Sequence, residues 1–138
     1  MDIWPIDVLT KGDVYVVNGY GKVKDGTLIG SSLGNAIHRK TGKGVILYGS
    51  IRNMQELKDI KSFNARVKGH DPFYFKDMTP ASFNAPICIG EITVFPGDVV
   101  FAKREGVLFI PAHLANRMIN TAGQIDSQWN DALKKTTF

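Results

Sequence analysis

The chain contains a single cysteine, so no internal disulfide can form and the fold must be held by packing alone. Cys88 lies in the apolar run Ile87-Cys88-Ile89, where a thiol is expected to be buried as a small hydrophobe. No base or cation stands beside it to depress its pKa, so a nucleophilic role is not expected. Long hydrophobic runs are also missing. No stretch approaches the ~18 apolar residues that a membrane span needs, and the start, Met1-Asp2-Ile3-Trp4-Pro5, lacks a basic-then-apolar leader. A reducing, cytoplasmic setting is therefore the expectation, with export of a longer precursor left open. Runs of one charge are scarce as well. Seventeen Lys+Arg stand against 13 Asp+Glu for a net charge of +4, but the nearest approach to a basic cluster is Lys103-Arg104 or Lys134-Lys135. Nucleic-acid binders concentrate base on one element, so nucleic acid is not an expected partner. The three histidines show no His-x-x-x-His spacing for a metal. His38 and His113 read as structural, and His70-Asp71 is the best alternative polar pair.

What is present is an ordinary globular composition, 43% apolar and 22% charged over 138 residues, which suits one domain (1–138) around one core. Gly12 to Asn18 reads as a strand, because Val14, Tyr15, Val16 and Val17 are β-branched or aromatic and follow a Gly-Asp turn signal. Gly19 to Gly26 reads as loop. Gly30-Ser31-Ser32 offers an N-cap for a helix over 32–41, with Leu33, Ala36 and Ile37 at helical spacing. That helix should stop at Gly42, with His38, Arg39 and Lys40 at its negative end. Gly44 to Leu47 is an almost continuous apolar run, the pattern of a strand buried on both faces. Strand, helix and strand together predict a βαβ unit. A short helix with Asn53 as its cap and a strand over 64–67 follow.

Residues 69–83 carry two prolines and four aromatics and read as a packed surface loop. From Ile87 to Ile110, short apolar runs are separated by Pro96-Gly97-Asp98 and Arg104-Glu105-Gly106, an antiparallel meander signature. Pro111 introduces an amphipathic C-terminal helical segment over 112–136, with Leu114, Met118, Ile119 and Ala122 on one side. The expected fold class is α/β.

Two glycine sites invite a ligand. Gly19-x-Gly21 is half of a dinucleotide fingerprint, but Lys24 stands where the third glycine belongs, and no Walker lysine motif is present. The turn Gly30-Ser31-Ser32-Leu33-Gly34 is more informative. It enters a helix N-terminus, where free N–H groups and a positive dipole end can receive a carboxylate or phosphate. Parallel strand ends put Gly49-Ser50-Ile51-Arg52-Asn53 on the same sheet edge, so Arg52 can reach the same ligand and grip it bidentately. An arginine at a helix start is disfavoured by the dipole, which calls for a compensating partner.

Several motifs occur in order: Gly12-Asp13-Val14, Gly19-Tyr20-Gly21, Gly30-x-x-Leu33-Gly34-x-Ala36, Thr41-Gly42-x-Gly44-Val45, Gly49-x-x-Arg52, Pro96-Gly97-Asp98-Val99-Val100 and Glu105-Gly106-Val107-x-Phe109-Ile110-Pro111. From about residue 12 to 122 this resembles the RraA-like family, also called the 4-hydroxy-4-methyl-2-oxoglutarate aldolase family. The resemblance implies a swivelling β/β/α domain, assembly as a trimer or hexamer, and a small 2-oxo acid or other carboxylate as ligand. It further implies that Gly30, Ser31, Ser32 and Leu33 bind substrate through backbone amides. Arg52 would be both substrate-binding and catalytic, in a carbon–carbon lyase of the aldolase or oxaloacetate decarboxylase type. Family aldolases hold Mg²⁺ or Mn²⁺ with an Asp and with the Asp of an Arg-Asp pair that follows it after twenty intervening residues. Here the equivalent metal positions are Ser31 and Asn53, with Arg52 kept. Neutral oxygens are weak ligands for hard divalent cations, so impaired or altered catalysis, with or without a metal, is the expectation. The alternative is a non-catalytic oligomeric regulator, like the RNase-regulator branch of the family. The segment preceding Gly12 is also shorter than the family's N-terminal helices.

Overall fold

The computed structural model describes the backbone of residues 4–135 and the side chains of residues 5–125. In chain order the elements are α1 (Trp4–Asp7), β1 (Tyr15–Asn18), β2 (Thr27–Ile29), α2 (Ser31–Thr41), β3 (Val45–Ile51), α3 (Met54–Asp59), β4 (Ala65–His70), β5 (Ile87–Ile89), β6 (Ile92–Val94), β7 (Val99–Ala102), β8 (Val107–Ile110) and α4 (Ala112–Lys135). They fall into two compact units, Met1–Val94 and Phe95–Phe138.

The first unit is organised by β3. Its sequence Val-Ile-Leu-Tyr-Gly-Ser-Ile is buried at every position but Tyr48, as expected of a parallel strand covered on both faces. β4 pairs with β3 in parallel along its length, from Val45↔Ala65 to Ile51↔His70. β1 pairs with the first part of β3 (Tyr15↔Val45 to Asn18↔Tyr48) and β2 with its end (Thr27↔Ser50, Ile29↔Ile51), both parallel. Since β4 already occupies one edge of β3 over both stretches, β1 and β2 lie end to end along the other edge. The βαβ unit is therefore β2-α2-β3, and β2 is a strand that the sequence reading left unassigned between the loop 19–26 and the helix start.

The loop between β1 and β2 is sewn onto β3. Gly19 and Gly21 both donate their backbone N–H to the Tyr48 carbonyl at 2.9 Å, and the fully buried Ser50 hydroxyl donates to the Val23 carbonyl at 2.9 Å. The half-fingerprint at Gly19-x-Gly21 thus spends those amides on the sheet and has neither to offer a phosphate.

α2 and α3 cover one face of the sheet. Leu28, Ile29, Ile37, Val45, Leu47, Ile51 and Leu57 form the core with Ile6 and Tyr15, flanked by Leu33, Ala36, Ile60 and Phe63. Burying a side chain such as Ile29, Ile37 or Leu47 contributes about 1.5–3 kcal/mol each relative to leaving it in water. α2 ends where the sequence says it should: Gly42 takes the left-handed conformation (φ 68°) and its N–H donates to the His38 carbonyl at 2.8 Å. His38 packs edge-on against Phe63, with its Nδ1 3.2 Å from the Lys43 carbonyl oxygen, a structural placement.

Beyond β4 the antiparallel part takes the form of two separate hairpins. β5 pairs with β6 in the first unit and β7 with β8 in the second. Cys88 is exposed, against the expectation of a buried thiol. Strand alternation explains the correction: Ile87 and Ile89 are half-buried on one face of β5, which turns Cys88 outward. In the second unit, β7 and β8 precede α4, which starts directly after Pro111 as expected. Residue 136 of the anticipated helical segment lies outside the described residues. On the apolar side anticipated for α4, Leu114 is half-buried while Met118 and Ile119 are exposed. Among the described residues no helix is long and apolar enough to cross a membrane.

Candidate functional site

The parallel sheet delivers β2 and β3 to a common edge, and a shallow cleft opens there. It is lined by Thr27, Leu28, Gly30, Ser31, Ser32, Leu33, Arg52, Asn53 and Tyr74, with about 340 Å³ of space open to solvent. The residues named from the sequence as substrate- or metal-binding candidates, Gly30, Ser31, Ser32, Leu33, Arg52 and Asn53, are all in this set, while Gly19-x-Gly21 and His70-Asp71 are not. The convergence has a simple cause. Ile29 and Ile51 are paired across the sheet, so the residues that follow each strand emerge side by side. The Arg52 N–H donates to the Ile29 carbonyl at 3.1 Å, which fastens the two turns together.

Gly30 is the N-cap of α2, with extended backbone (φ −116°, ψ −172°) and no side chain capping the helix. The first intrahelical bond runs from the Gly34 N–H to the Gly30 carbonyl at 2.9 Å. The amides of Ser31, Ser32 and Leu33 therefore have no intrahelical acceptor, and they point out of the helix toward the cleft end. The first turn of α2 has no acid and its last turn is basic, so no carboxylate of the helix's own offsets the positive dipole end.

A side chain at Gly30 would crowd Arg52 and Asn53. A Cβ there would sit 3.1 Å from Arg52 Nε, 3.2 Å from Asn53 Oδ1 and 3.3 Å from Arg52 Cγ. Both side chains thus lean over Gly30, which brings them beside the free amides. Asn53 holds the N-cap position of α3, as read from the sequence, but its side chain makes no capping bond. Its backbone is left-handed (φ 57°, ψ 45°), a conformation that Asn and Asp tolerate better than other residues with a Cβ.

The partner that the dipole argument required for Arg52 is an aromatic ring. Arg52 Cζ lies 5.7 Å from the centroid of Tyr74, within cation–π range. Tyr74 went unremarked among the aromatics of the 69–83 loop, because no local pattern reveals that this loop returns to β2. The structure shows the return. Thr27 and Tyr74 form an isolated parallel bridge, and the buried Thr27 hydroxyl donates to the Asp71 carbonyl at 2.5 Å. Phe75 and Met78 pack against the core, so the loop is packed on its own unit as expected.

His70-Asp71 serves this loop. The Asp71 carboxylate accepts the Phe73 N–H at 2.9 Å, and the Asp71 N–H donates to the Ile51 carbonyl at 3.0 Å. His70 and His113 are exposed. Among the described residues no three His, Cys, Asp or Glu side chains converge as metal ligands. Within the cleft the oxygen donors are the hydroxyls of Thr27, Ser31, Ser32 and Tyr74 and the amide of Asn53, all neutral. Mg²⁺ and Mn²⁺ are ordinarily held by anionic oxygens, so this set does not fit either ion. What the arrangement offers is donors: three backbone amides, a guanidinium, hydroxyls and an amide NH₂, the complement of a small anion's oxygens.

Comparison with known proteins supplies relatives. The family model described as RraA-like (Aldolase/RraA) matches residues 5–109. Protein DlpA of Legionella pneumophila is 28% identical over 123 residues, 83% of this chain but 18% of that protein. A protein of Azotobacter vinelandii, provisionally named 4-hydroxy-4-methyl-2-oxoglutarate aldolase, is 26% identical over 109 residues, which cover 79% of this chain and 66% of its own length. The chain thus spans less than a fifth of the first relative and just under two thirds of the second. Among solved structures, Streptomyces coelicolor RraAS2 is described as an unusual member of the RNase ES inhibitor RraA family. It superposes with a TM-score of 0.79 at 23% identity, covering 98% of this chain and 68% of that one. The RNA-processing inhibitor RraA of Thermus superposes with a TM-score of 0.69 at 23% identity, covering 77% and 63%. These structural likenesses establish the fold.

Proposed function

The chain belongs to the RraA-like family, and on that premise we propose that the cleft between the α2 N-terminus and Arg52 binds a small 2-oxo acid or related carboxylate with little help from a metal. The observation that carries this reading is the convergence of three uncommitted amides and Arg52 on a cleft whose donor set contains no carboxylate. Two carboxylate oxygens can take paired hydrogen bonds from the guanidinium, and a further ligand oxygen can take amide N–H groups at the helix end. In the aldolases that the sequence resembles, an arginine and a metal share the charge of the enolate left after carbon–carbon cleavage. Here Arg52 and the amides would carry that charge alone. A lyase reaction on 4-hydroxy-2-oxo acids is then slower than in relatives with both carboxylates, because one electrostatic stabiliser of the transition state is weakened.

A second reading has its own observation. Phe101 and Leu108, a directly paired couple on β7 and β8, are about half exposed, and Ile119 and Ile125 of α4 are more so. Exposed apolar side chains of this kind suit protein contacts, whether in a homo-oligomer or with a regulated partner. In that case the cleft would be a remnant or a sensor.

Calorimetry with oxalate, an enolate mimic, tests the first reading with and without Mg²⁺ or Mn²⁺. Wild type is expected to bind oxalate equally well in either condition. Ser31→Asp/Asn53→Asp is expected to acquire metal binding that oxalate strengthens, together with pyruvate release from 4-hydroxy-2-oxo acids. The backbone favours this double variant: an acid at the first residue of α2 complements the dipole, and Asp accepts the left-handed conformation at position 53. Failure of wild type to bind oxalate under any condition refutes the carboxylate site.

A further inference from the structure

We infer that Tyr74 is a positioning residue for Arg52, and that the 71–76 loop is an anchored strap which brings its ring to the cleft. The ligand-binding part of this inference rests on the carboxylate reading above; the coupling of the two side chains does not. Arg52 is exposed, and an exposed arginine ordinarily samples many rotamers, so that organising its fork costs ligand affinity. Nothing on its own turn restrains the guanidinium: no ion pair to it is found among the described residues. The Tyr74 ring, 5.7 Å from Arg52 Cζ, is the group that limits where it can go. An aromatic face suits this task better than a carboxylate. It attracts the cation without occupying the N–H donors that the ligand must receive.

The strap is fixed independently of the Tyr74 side chain. At its start the Thr27 hydroxyl holds the Asp71 carbonyl at 2.5 Å, and the Asp71 N–H holds the Ile51 carbonyl at 3.0 Å. At its end the Lys76 N–H donates to the Asp25 carbonyl at 2.9 Å, Lys22 Nζ donates to the Lys76 carbonyl at 2.6 Å, and Lys76 pairs with Asp25 at 3.8 Å. Between these anchors Tyr74 bridges to Thr27 through its backbone, and its ring stacks at 4.6 Å on Phe75, itself packed on the core. The ring is thus held from behind while 40% of the residue remains open to solvent. Because the anchors are backbone atoms and other side chains, removing the ring leaves the strap in place.

Two measurements on the full chain test this. In NMR spectra the Arg52 side-chain protons should be displaced upfield by the Tyr74 ring in wild type and in Tyr74→Phe. They should return to ordinary arginine positions in Tyr74→Leu. By calorimetry, oxalate binding should be about fivefold weaker in Tyr74→Leu than in Tyr74→Phe, which removes the hydroxyl but keeps the ring, the scale of an exposed cation–π contact. In an Arg52→Gln background, where only the helix amides and hydroxyls remain to bind, Tyr74→Leu and Tyr74→Phe should bind oxalate alike. Thr27→Val, which frees the strap at its base, should move the Arg52 resonances in the same direction as Tyr74→Leu. Arg52 resonances indifferent to Tyr74, or an equal loss of affinity from Tyr74→Leu relative to Tyr74→Phe with and without Arg52, overturns the inference. Displaced Arg52 resonances in a protein that binds no oxalate would uphold the coupling and refute the carboxylate reading instead.

Discussion

At the residue scale, the site depends on an absence of atoms. Gly30 has no Cβ, and that gap is filled by Arg52 and Asn53 leaning inward, with contacts of 3.1–3.3 Å awaiting any added methyl group. Both neighbours are exposed polar side chains that can swing away. Gly30→Ala is therefore expected to leave stability within about 1 kcal/mol of wild type while displacing Arg52 from the α2 amides. The check is paired: a melting curve that barely moves beside an oxalate affinity that falls severalfold. A large stability loss with unchanged affinity would show that the lean of Arg52 over Gly30 is incidental. The candidate residues themselves were legible for two local reasons: Gly30 to Leu33 form the glycine-marked start of a helix, and Arg52 and Asn53 follow the plain apolar run of β3. Tyr74 was not. Its place depends on a contact between residues 27 and 74, and the period of neither segment encodes that pairing. Cys88 was misread for a related reason: an apolar triplet shows that a strand is half-buried, and alternation then decides which member faces out.

At the element scale, the seating of α2 on α3 is set by another missing side chain. A Cβ on Gly34 would lie 2.4 Å from Leu57 Cδ2, and Leu57, 4% exposed, has little space into which to retreat. Gly34→Ala improves intrinsic helix propensity by about 0.8–1 kcal/mol, but overpacking a filled contact costs about 1–3 kcal/mol. The expected outcome is a net loss of stability in chemical denaturation, and a gain would mean that α3 shifts freely. Because α3 follows Arg52 and Asn53 directly, the same change should also disturb the cleft. Elements with strong signals were readable at this scale. The Gly42 stop of α2, the buried run of β3 and the helix after Pro111 all came from local rules. β2 escaped because three residues between two glycine bends are too short to display a period. Its identity as a strand comes from pairing with β3, not from its own composition.

At the scale of the whole molecule, one titrating group ties global stability to pH. Burial raises the pKa of Tyr15 above its ordinary value of 10.0, because the phenolate is costlier than the phenol in a core lined by Val45 and Ile6. A raised folded pKa means that the stabilisation is complete below the ordinary value and is lost as pH climbs past it toward the folded value. Tyr15→Phe should therefore be close to neutral at neutral pH and should lessen the decline in unfolding free energy as pH rises above about 10. Identical alkaline slopes for the two proteins would show that Tyr15 ionises in the folded state without penalty. The distribution of the cleft along the chain has a consequence for synthesis. Every residue that lines it falls between Thr27 and Tyr74, and the anchors of the strap end at Lys76. A ribosome making this protein thus finishes all the parts of the cleft before it begins β7, β8 and α4. Domains commonly fold as units in order of their emergence, so the pocket can close around an anion while the second unit is still being translated. On the carboxylate reading proposed above, a small carboxylate present at that moment would serve as a template for the first unit as well.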